Sequence, residues 1–130
     1  MRFAPSLLLL AMLGCSEGSG PAGPVRHGIG RDCPEDSFLT YENFGQPFML
    51  NWCTGCHSST LSGDEIRADA PEGFDFDDPN LIRPHLEEIY ERAVERRNMP
   101  PAGGPGDAER DLLGEWLACG APSDFDVWPE

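Results

Sequence analysis

Cys53-Thr54-Gly55-Cys56-His57 is a C-x-x-C-H motif, the sequence pattern to which a c-type haem is attached. The two thiols are separated by less than one turn of helix, so both can form thioether bonds to the vinyl groups of one porphyrin. The histidine that follows then lies beneath the ring, where an imidazole nitrogen can bind the iron. The motif therefore predicts one covalent haem c, attached through Cys53 and Cys56, with His57 as the proximal iron ligand.

Two other kinds of site contain a C-x-x-C pair. A dithiol redox pair usually follows a β-strand, but residues 43–52 include no β-branched run and do not read as a strand. A zinc site normally needs a second close pair, and the other cysteines stand alone in the sequence. The pattern favours haem, while a structural zinc site made by the motif and an unpaired cysteine is kept as an alternative.

The other three of the five cysteines are Cys15, Cys33 and Cys119. Attachment of haem c takes place outside the cytoplasm, where disulfides persist. We therefore expect Cys33 and Cys119 to be bonded and to connect the two ends of the folded part. Two buried free thiols are the alternative.

The N-terminus has the features of an export signal. Arg2 is followed by an apolar stretch over residues 3–13, which is too short to span a bilayer. Leu13-Gly14-Cys15 resembles the lipobox of bacterial lipoproteins, and that resemblance implies cleavage before Cys15 and lipidation of its thiol. The expected layout is a signal peptide over residues 1–14, a lipidated N-terminus and glycine- and proline-rich tether over 15–31, and one domain over 32–130.

The charge of the chain limits its partners. The formal net charge is −14, and all nine basic residues are arginine. Nucleic-acid binding is disfavoured because phosphate contacts require basic patches. A protein partner that docks on this chain is expected to be basic, and attachment to a membrane is expected to come from the N-terminal lipid.

Three segments have the apolar spacing of helices, and no segment reads as a strand. The first starts near Tyr41 or Pro47, with Thr40 or Asn43 as cap, and runs to the motif. The second covers residues 84–97 after a short turn at 79–83. The third covers residues 107–119, with Asp107 as cap, Gly120 as stop and a buried face made by Leu112, Leu113, Trp116 and Leu117. Residues 58–80 between the first two helices read as an acidic loop.

This order of elements resembles the class I cytochromes c over about residues 41–120. The features that match are a helix, C-x-x-C-H, a loop, a helix, a Met-Pro-Pro loop and an aromatic C-terminal helix. The sequence is similar to short bacterial cytochrome c domains of lipoproteins. The resemblance implies a small all-α fold of about three to four helices around one covalent haem, with long loops. It also implies that the first and last helices cross, through Gly45, Phe48, Gly114 and Trp116.

The resemblance further implies that Met99, in Asn98-Met99-Pro100-Pro101, is the distal iron ligand. A thioether is a neutral, soft ligand that favours ferrous iron and raises the potential. His85 is the alternative sixth ligand, and a second imidazole would give a lower potential.

The expected function is electron transfer in the bacterial cell envelope by a lipid-anchored, single-haem carrier that exchanges one electron with redox partner proteins. With both axial positions filled, no substrate site is expected, so the chain is not expected to be an enzyme. The first alternative is a haem protein whose sixth position is open or labile and binds a small gas or peroxide. The second alternative is the structural zinc-binding domain.

Overall fold

The structure is a computed structural model that describes residues 28–101 and 103–127. The secondary structure of these residues consists of four helices. Helix α1 covers residues 41–52, α2 covers 79–95, α3 is Asp107–Ala118 and α4 is Asp124–Val127. No residue within these two ranges is in a β-strand. The prediction of an all-α fold with about three to four helices is therefore confirmed. The signal peptide, Cys15 and most of the tether lie outside the described residues.

Helix α1 begins where the sequence predicts. The Thr40 hydroxyl accepts from the Asn43 N–H at 3.3 Å, and the Asn43 side chain accepts from the Thr40 N–H at 2.8 Å, which makes a reciprocal cap. The first part, Tyr41–Gly45, has the wide hydrogen-bond spacing of a π-helix, and Gln46–Trp52 is α-helical. Pro47, which has no N–H to donate, lies in the first turn of the α-helical part.

Helix α2 consists of four consecutive short parts and ends earlier than predicted. They are Pro79–Ile82, the 3₁₀ turn Arg83–His85, Leu86–Ile89 and the π-helical Tyr90–Glu95. The predicted end at Arg97 is wrong because Arg97 has a positive φ of 55°, which a helix cannot continue through. The chain turns away there toward Met99.

Helix α3 matches the prediction in extent but differs in two details. Gly106 rather than Asp107 is the N-cap, and the Gly106 N–H donates to the Glu109 carboxylate at 3.1 Å.

Leu112 is 40% exposed, so its predicted place on the buried face is wrong. Leu113, Trp116 and Leu117 are fully buried, as predicted. Gly120, with a φ of 85°, ends the helix.

Helices α1 and α3 meet at Gly45 and Trp116. A Cβ atom on Gly45 would lie 2.4 Å from the Trp116 ring, so only glycine permits this approach. The Phe44 ring packs edge-on against Trp116 at 6.2 Å. Gly114, which the resemblance placed at the same crossing, instead faces Tyr90 and Val94 of α2.

The disulfide between Cys33 and Cys119 is present, with the two Cα atoms 4.8 Å apart. It joins the segment before α1 to the end of α3, and the two cysteines are 86 positions apart in sequence. This confirms the predicted pairing. Within the described ranges, no helix is long and apolar enough to cross a membrane.

Candidate haem-binding site

The motif forms one tight turn at the end of α1. The helix ends at Trp52, and Cys53 is its C-cap, whose N–H donates to the Met49 carbonyl at 2.9 Å. The Cys53 carbonyl then accepts from the N–H groups of Cys56 and His57, at 3.1 and 2.9 Å. The structure therefore brings the three predicted haem-binding residues together on a single turn, and neither thiol is in a disulfide.

The His57 ring is held on two sides. Its Nδ1 atom lies 2.8 Å from the carbonyl oxygen of Phe74, and its face stacks on the Phe76 ring at 4.6 Å. The Phe76 N–H also donates to the His57 carbonyl at 2.9 Å. A carbonyl only accepts, so Nδ1 carries the proton and Nε2 keeps the lone pair that binds a metal.

The surroundings of the motif favour the neutral forms of its side chains. Burial, together with the nearby positive charge of Arg67, holds the pKa of His57 below its usual value, although the bond to Phe74 acts in the opposite direction. Burial also raises the pKa of the Cys53 thiol to about 12. At neutral pH the site therefore presents a neutral imidazole and an uncharged Cys53 thiol.

These features fit a haem c. Two unpaired thiols and a histidine with its Nε2 lone pair available are the donors that such a group requires. Leu50, whose carbonyl accepts from the Thr54 hydroxyl at 3.4 Å, is an exposed leucine one turn before the motif.

Residues 58–78, called here the His57 loop, are organised around one buried arginine. The Arg67 side chain is 1% exposed and donates to five main-chain carbonyls. They belong to Ser58 (2.8 Å), Leu61 (3.1 Å), Ala70 (3.1 Å), Pro71 (2.8 Å) and Phe74 (3.3 Å). A long loop that carries the Phe74 carbonyl is thereby fixed in one shape, although it has no regular secondary structure.

Acidic residues of the same loop also have structural partners. Asp75 lies 2.8 Å from the Arg67 guanidinium. The Asp77 carboxylate accepts from the hydroxyls of Ser58 and Ser59 at 3.0 and 2.7 Å. Asp78 caps α2 by accepting from the Asn80 N–H at 2.7 Å. The sequence indicated only a solvated acidic loop at these positions.

Met99 lies in a separate loop, residues 96–106, called here the Met99 loop, of which residue 102 is not described. Its side chain is 37% exposed. The loop is tied to α3 by Arg110, a buried arginine that donates to the carbonyls of Met99 and Pro105, each at 3.1 Å, and of Ala93. The Met99 loop follows the end of α2, whereas the segment that holds His57 precedes its start.

His85 lies beside the segment that supports His57. Its Nε2 atom is 3.1 Å from the Gly73 carbonyl, and its ring stacks on Phe74 at 4.2 Å. The Phe74 carbonyl of that segment meets His57 at Nδ1, opposite its Nε2 atom. Ligation by His85 would therefore require its contacts with Gly73 and Phe74 to break.

The structural roles of Arg110 and Arg67 were not predicted from the sequence. Arg110 occurs three and four positions before Leu113 and Gly114, on the face of α3 that packs inward. A charged residue in a buried helical stripe is a usable signal, because it must find partners there. No comparable signal marks Arg67, because its partners are the carbonyls of an irregular loop.

The described parts of the chain contain no group of three or more His, Cys, Asp or Glu side chains arranged as a metal site. Cys33 and Cys119 are bonded to each other. Neither can therefore complete a zinc site with the motif while that bond is intact.

Comparison with protein-family models, with curated proteins and with solved structures finds no match to this chain. The function proposed below therefore rests on the sequence of this chain and on the geometry of its own residues.

Proposed function

We propose that this chain is a single-haem electron carrier with a class I cytochrome c-like fold. The observation that supports it most directly is the turn that bears Cys53, Cys56 and His57. On that turn the His57 Nδ1–H is held by the Phe74 carbonyl at 2.8 Å, which leaves Nε2 available for iron. A dithiol redox pair does not require a histidine whose Nδ1–H is held and whose Nε2 is free.

Each residue of the motif has a distinct task in this proposal. Cys53 and Cys56 would hold the haem through their sulfur atoms, and His57 would bind the iron through Nε2. A bound haem c supplies a reversible one-electron Fe(II)/Fe(III) couple. The Phe74 carbonyl and the Phe76 ring fix the orientation of the imidazole, so that little rearrangement of the protein accompanies electron transfer.

Met99 is the proposed distal ligand. The Met99 carbonyl accepts a hydrogen bond from Arg110, which gives the loop a defined path. Met99 itself is exposed, so its thioether is accessible. His85 is less suitable because its Nε2 is engaged with Gly73. With His57 and Met99 both bound to iron, no position would be left for a substrate, which favours a carrier over an enzyme.

The setting of the carrier follows from its sequence. A lipid on Cys15 would anchor it in the bacterial cell envelope, facing the periplasm or the exterior, with the glycine- and proline-rich residues after Cys15 as tether. A tether raises the effective concentration of the domain near membrane-bound partners. The net charge of −14 favours basic redox partners. The disulfide agrees with an oxidising compartment.

A second candidate function follows from the exposure of Met99. If the thioether does not stay on the iron, the sixth position is open or labile, and a small gas or peroxide binds there. The residues that hold the haem are the same in both proposals, so the two differ only in the Met99 loop.

The test is an optical spectrum of protein that is exported in a host with cytochrome c maturation machinery, recorded oxidised and then reduced. The carrier is expected to contain covalent haem, to be six-coordinate when reduced and to show the methionine–iron charge-transfer band when oxidised. The reduced protein should not bind carbon monoxide. Covalent haem without the band, with carbon monoxide binding, would select the gas-binding alternative. A colourless protein that contains zinc would overturn both haem proposals.

A further inference from the structure

The Phe74 carbonyl oxygen interacts with two side chains at once. It accepts from the His57 Nδ1–H at 2.8 Å and from the Arg67 Nη2–H at 3.3 Å. Arg67 is therefore connected to the proposed iron ligand through one shared acceptor. Because the guanidinium is 1% exposed, water screens its charge only weakly.

Asp75 is the partner of this buried charge. One carboxylate oxygen lies 2.8 Å from Arg67 Nη2, and the Asp75 side chain is 15% exposed. That oxygen is buried without an aligned hydrogen bond, so the contact with Arg67 is one between charges. Both residues act on His57 electrostatically and in opposite directions, since Arg67 lowers its pKa and Asp75 raises it.

The two charges should also act oppositely on an iron bound to His57. Oxidation of haem iron adds one positive charge, which a nearby cation opposes and a nearby anion favours. In addition, a carbonyl that already accepts from a guanidinium is a weaker acceptor for the imidazole N–H. His57 then donates less electron density to the iron, which also favours the ferrous state.

We propose that Arg67 and Asp75 set the reduction potential of the haem from the His57 side, with Arg67 raising it and Asp75 lowering it. This inference rests on the proposed function. Arg67 is a positioning residue as well, because its five hydrogen bonds fix the loop that presents the Phe74 carbonyl. A purely structural role and a tuning role predict different results, because only tuning gives the two residues effects of opposite sign.

The experiment is a redox titration at pH 7, followed optically, of the wild type and of Arg67→Met and Asp75→Asn. Arg67→Met should lower the midpoint potential and Asp75→Asn should raise it. At a fixed applied potential, each change should alter the ratio of reduced to oxidised protein by about tenfold, the size expected for one unit charge in a partly shielded interior. Arg67→Lys, which keeps the charge but not the hydrogen-bond pattern, should lower the potential less than Arg67→Met.

Two controls separate tuning from loosening of the loop. Arg31→Met removes a guanidinium that pairs with Glu95 and Tyr90 of α2, and it should leave the potential nearly unchanged. Chemical unfolding of each oxidised variant, with its haem attached, measures the structural damage. Arg67→Met and Asp75→Asn should both have a lower free energy of unfolding than the wild type, although their potentials move in opposite directions.

Shifts of the same sign in both variants, or unchanged potentials, would overturn the inference while the proposed function stands. If Arg67→Met does not fold, Asp75→Asn and Arg67→Lys still test the inference. A loosened loop would expose the haem to water, and a higher midpoint potential in Asp75→Asn is not expected from that exposure. A wild-type protein without covalent haem would overturn the proposed function and this inference together.

Discussion

The His57 loop and the Met99 loop each depend on one buried arginine, but they use it differently. Arg67 belongs to the loop that it organises and donates to five of that loop's carbonyls. Arg110 belongs to α3 and reaches across to the carbonyls of the Met99 loop and of α2. The His57 imidazole is fixed by direct contacts, whereas only the main chain near Met99 is fixed and Met99 itself is 37% exposed. The proposed proximal ligand is thus preorganised to a greater degree than the proposed distal ligand.

The largest effect should come from removing the motif's thiols. The double variant Cys53→Ala with Cys56→Ala leaves His57 and its loop in place but removes the sulfur atoms of both proposed thioether bonds. We expect no haem to remain with the protein after denaturing electrophoresis, as measured by haem staining against total protein. Staining equal to that of the wild type would show that attachment does not use these cysteines.

The matched control removes the other two cysteines. Cys33→Ala with Cys119→Ala should retain covalent haem, because neither residue is in the motif. It should nevertheless lower the free energy of unfolding by roughly 4–5 kcal/mol, the loop-entropy value for a closed loop of this length. Denaturant unfolding under non-reducing conditions measures this loss. A change of less than about 1 kcal/mol would mean that the unfolded chain gains little freedom when the disulfide is absent.

The distal side is tested by comparing Met99→Ala with His85→Ala. Met99→Ala should remove the methionine–iron charge-transfer band, lower the potential and allow the reduced protein to bind carbon monoxide. His85→Ala removes a ring that stacks on Phe74 and should leave the band intact. The reverse outcome, with the spectrum and potential unchanged in Met99→Ala but altered in His85→Ala, would assign the sixth ligand to His85.

Helices and motif could be predicted from the sequence because their signals are local. Thr40 and Asn43 form the predicted cap, and Gly120 is the predicted stop of α3. The end of α2 was misplaced because Arg97 favours helices, while the turn toward Met99 requires a left-handed backbone there.

The contacts that hold the candidate site in place could not be predicted from the sequence, because they depend on tertiary structure. Hydrogen bonds from Arg67 to five carbonyls depend on the path of a long loop, and periodicity carries no information about such a path. The contact of Gly114 with α2 rather than α1 likewise depends on how the helices pack, which the helical spacing of one segment does not determine.

Arg110→Met should damage the Met99 loop and spare the His57 loop. The substitution leaves the carbonyls of Ala93, Met99 and Pro105 without this donor, and we expect a loss of about 2–3 kcal/mol in the free energy of unfolding. The methionine–iron band should weaken, while covalent haem is retained. Arg96→Met is the control, since Arg96 forms an exposed ion pair with Glu91, and such pairs contribute at most about 1 kcal/mol. Equal effects of the two substitutions would contradict a special role for Arg110.

The smallest effect concerns Asp77, which ties the end of the His57 loop to Ser58 and Ser59. Partial burial acts in the opposite direction, but the hydrogen bonds from the two serines hold the pKa of Asp77 below its usual value of 3.8. A carboxylate with a lowered pKa stabilises the fold at neutral pH, and this contribution is lost as the pH falls through the folded-state pKa. Because Asp77 is partly exposed, Asp77→Asn should cost only about 1 kcal/mol at pH 7.

The difference in unfolding free energy between wild type and Asp77→Asn should therefore shrink below about pH 4, where the unfolded-state Asp takes up its proton. Asp78→Asn is the matched control, because asparagine caps a helix as well as aspartate does and α2 should keep its start. Denaturant titrations of the three proteins between pH 7 and pH 3 measure both quantities. A cost that stays constant over this range would assign the stabilising effect of Asp77 to its shape rather than its charge. The methionine–iron band should be unchanged in both variants, since neither carboxylate contacts the Met99 loop through a hydrogen bond that the structure shows.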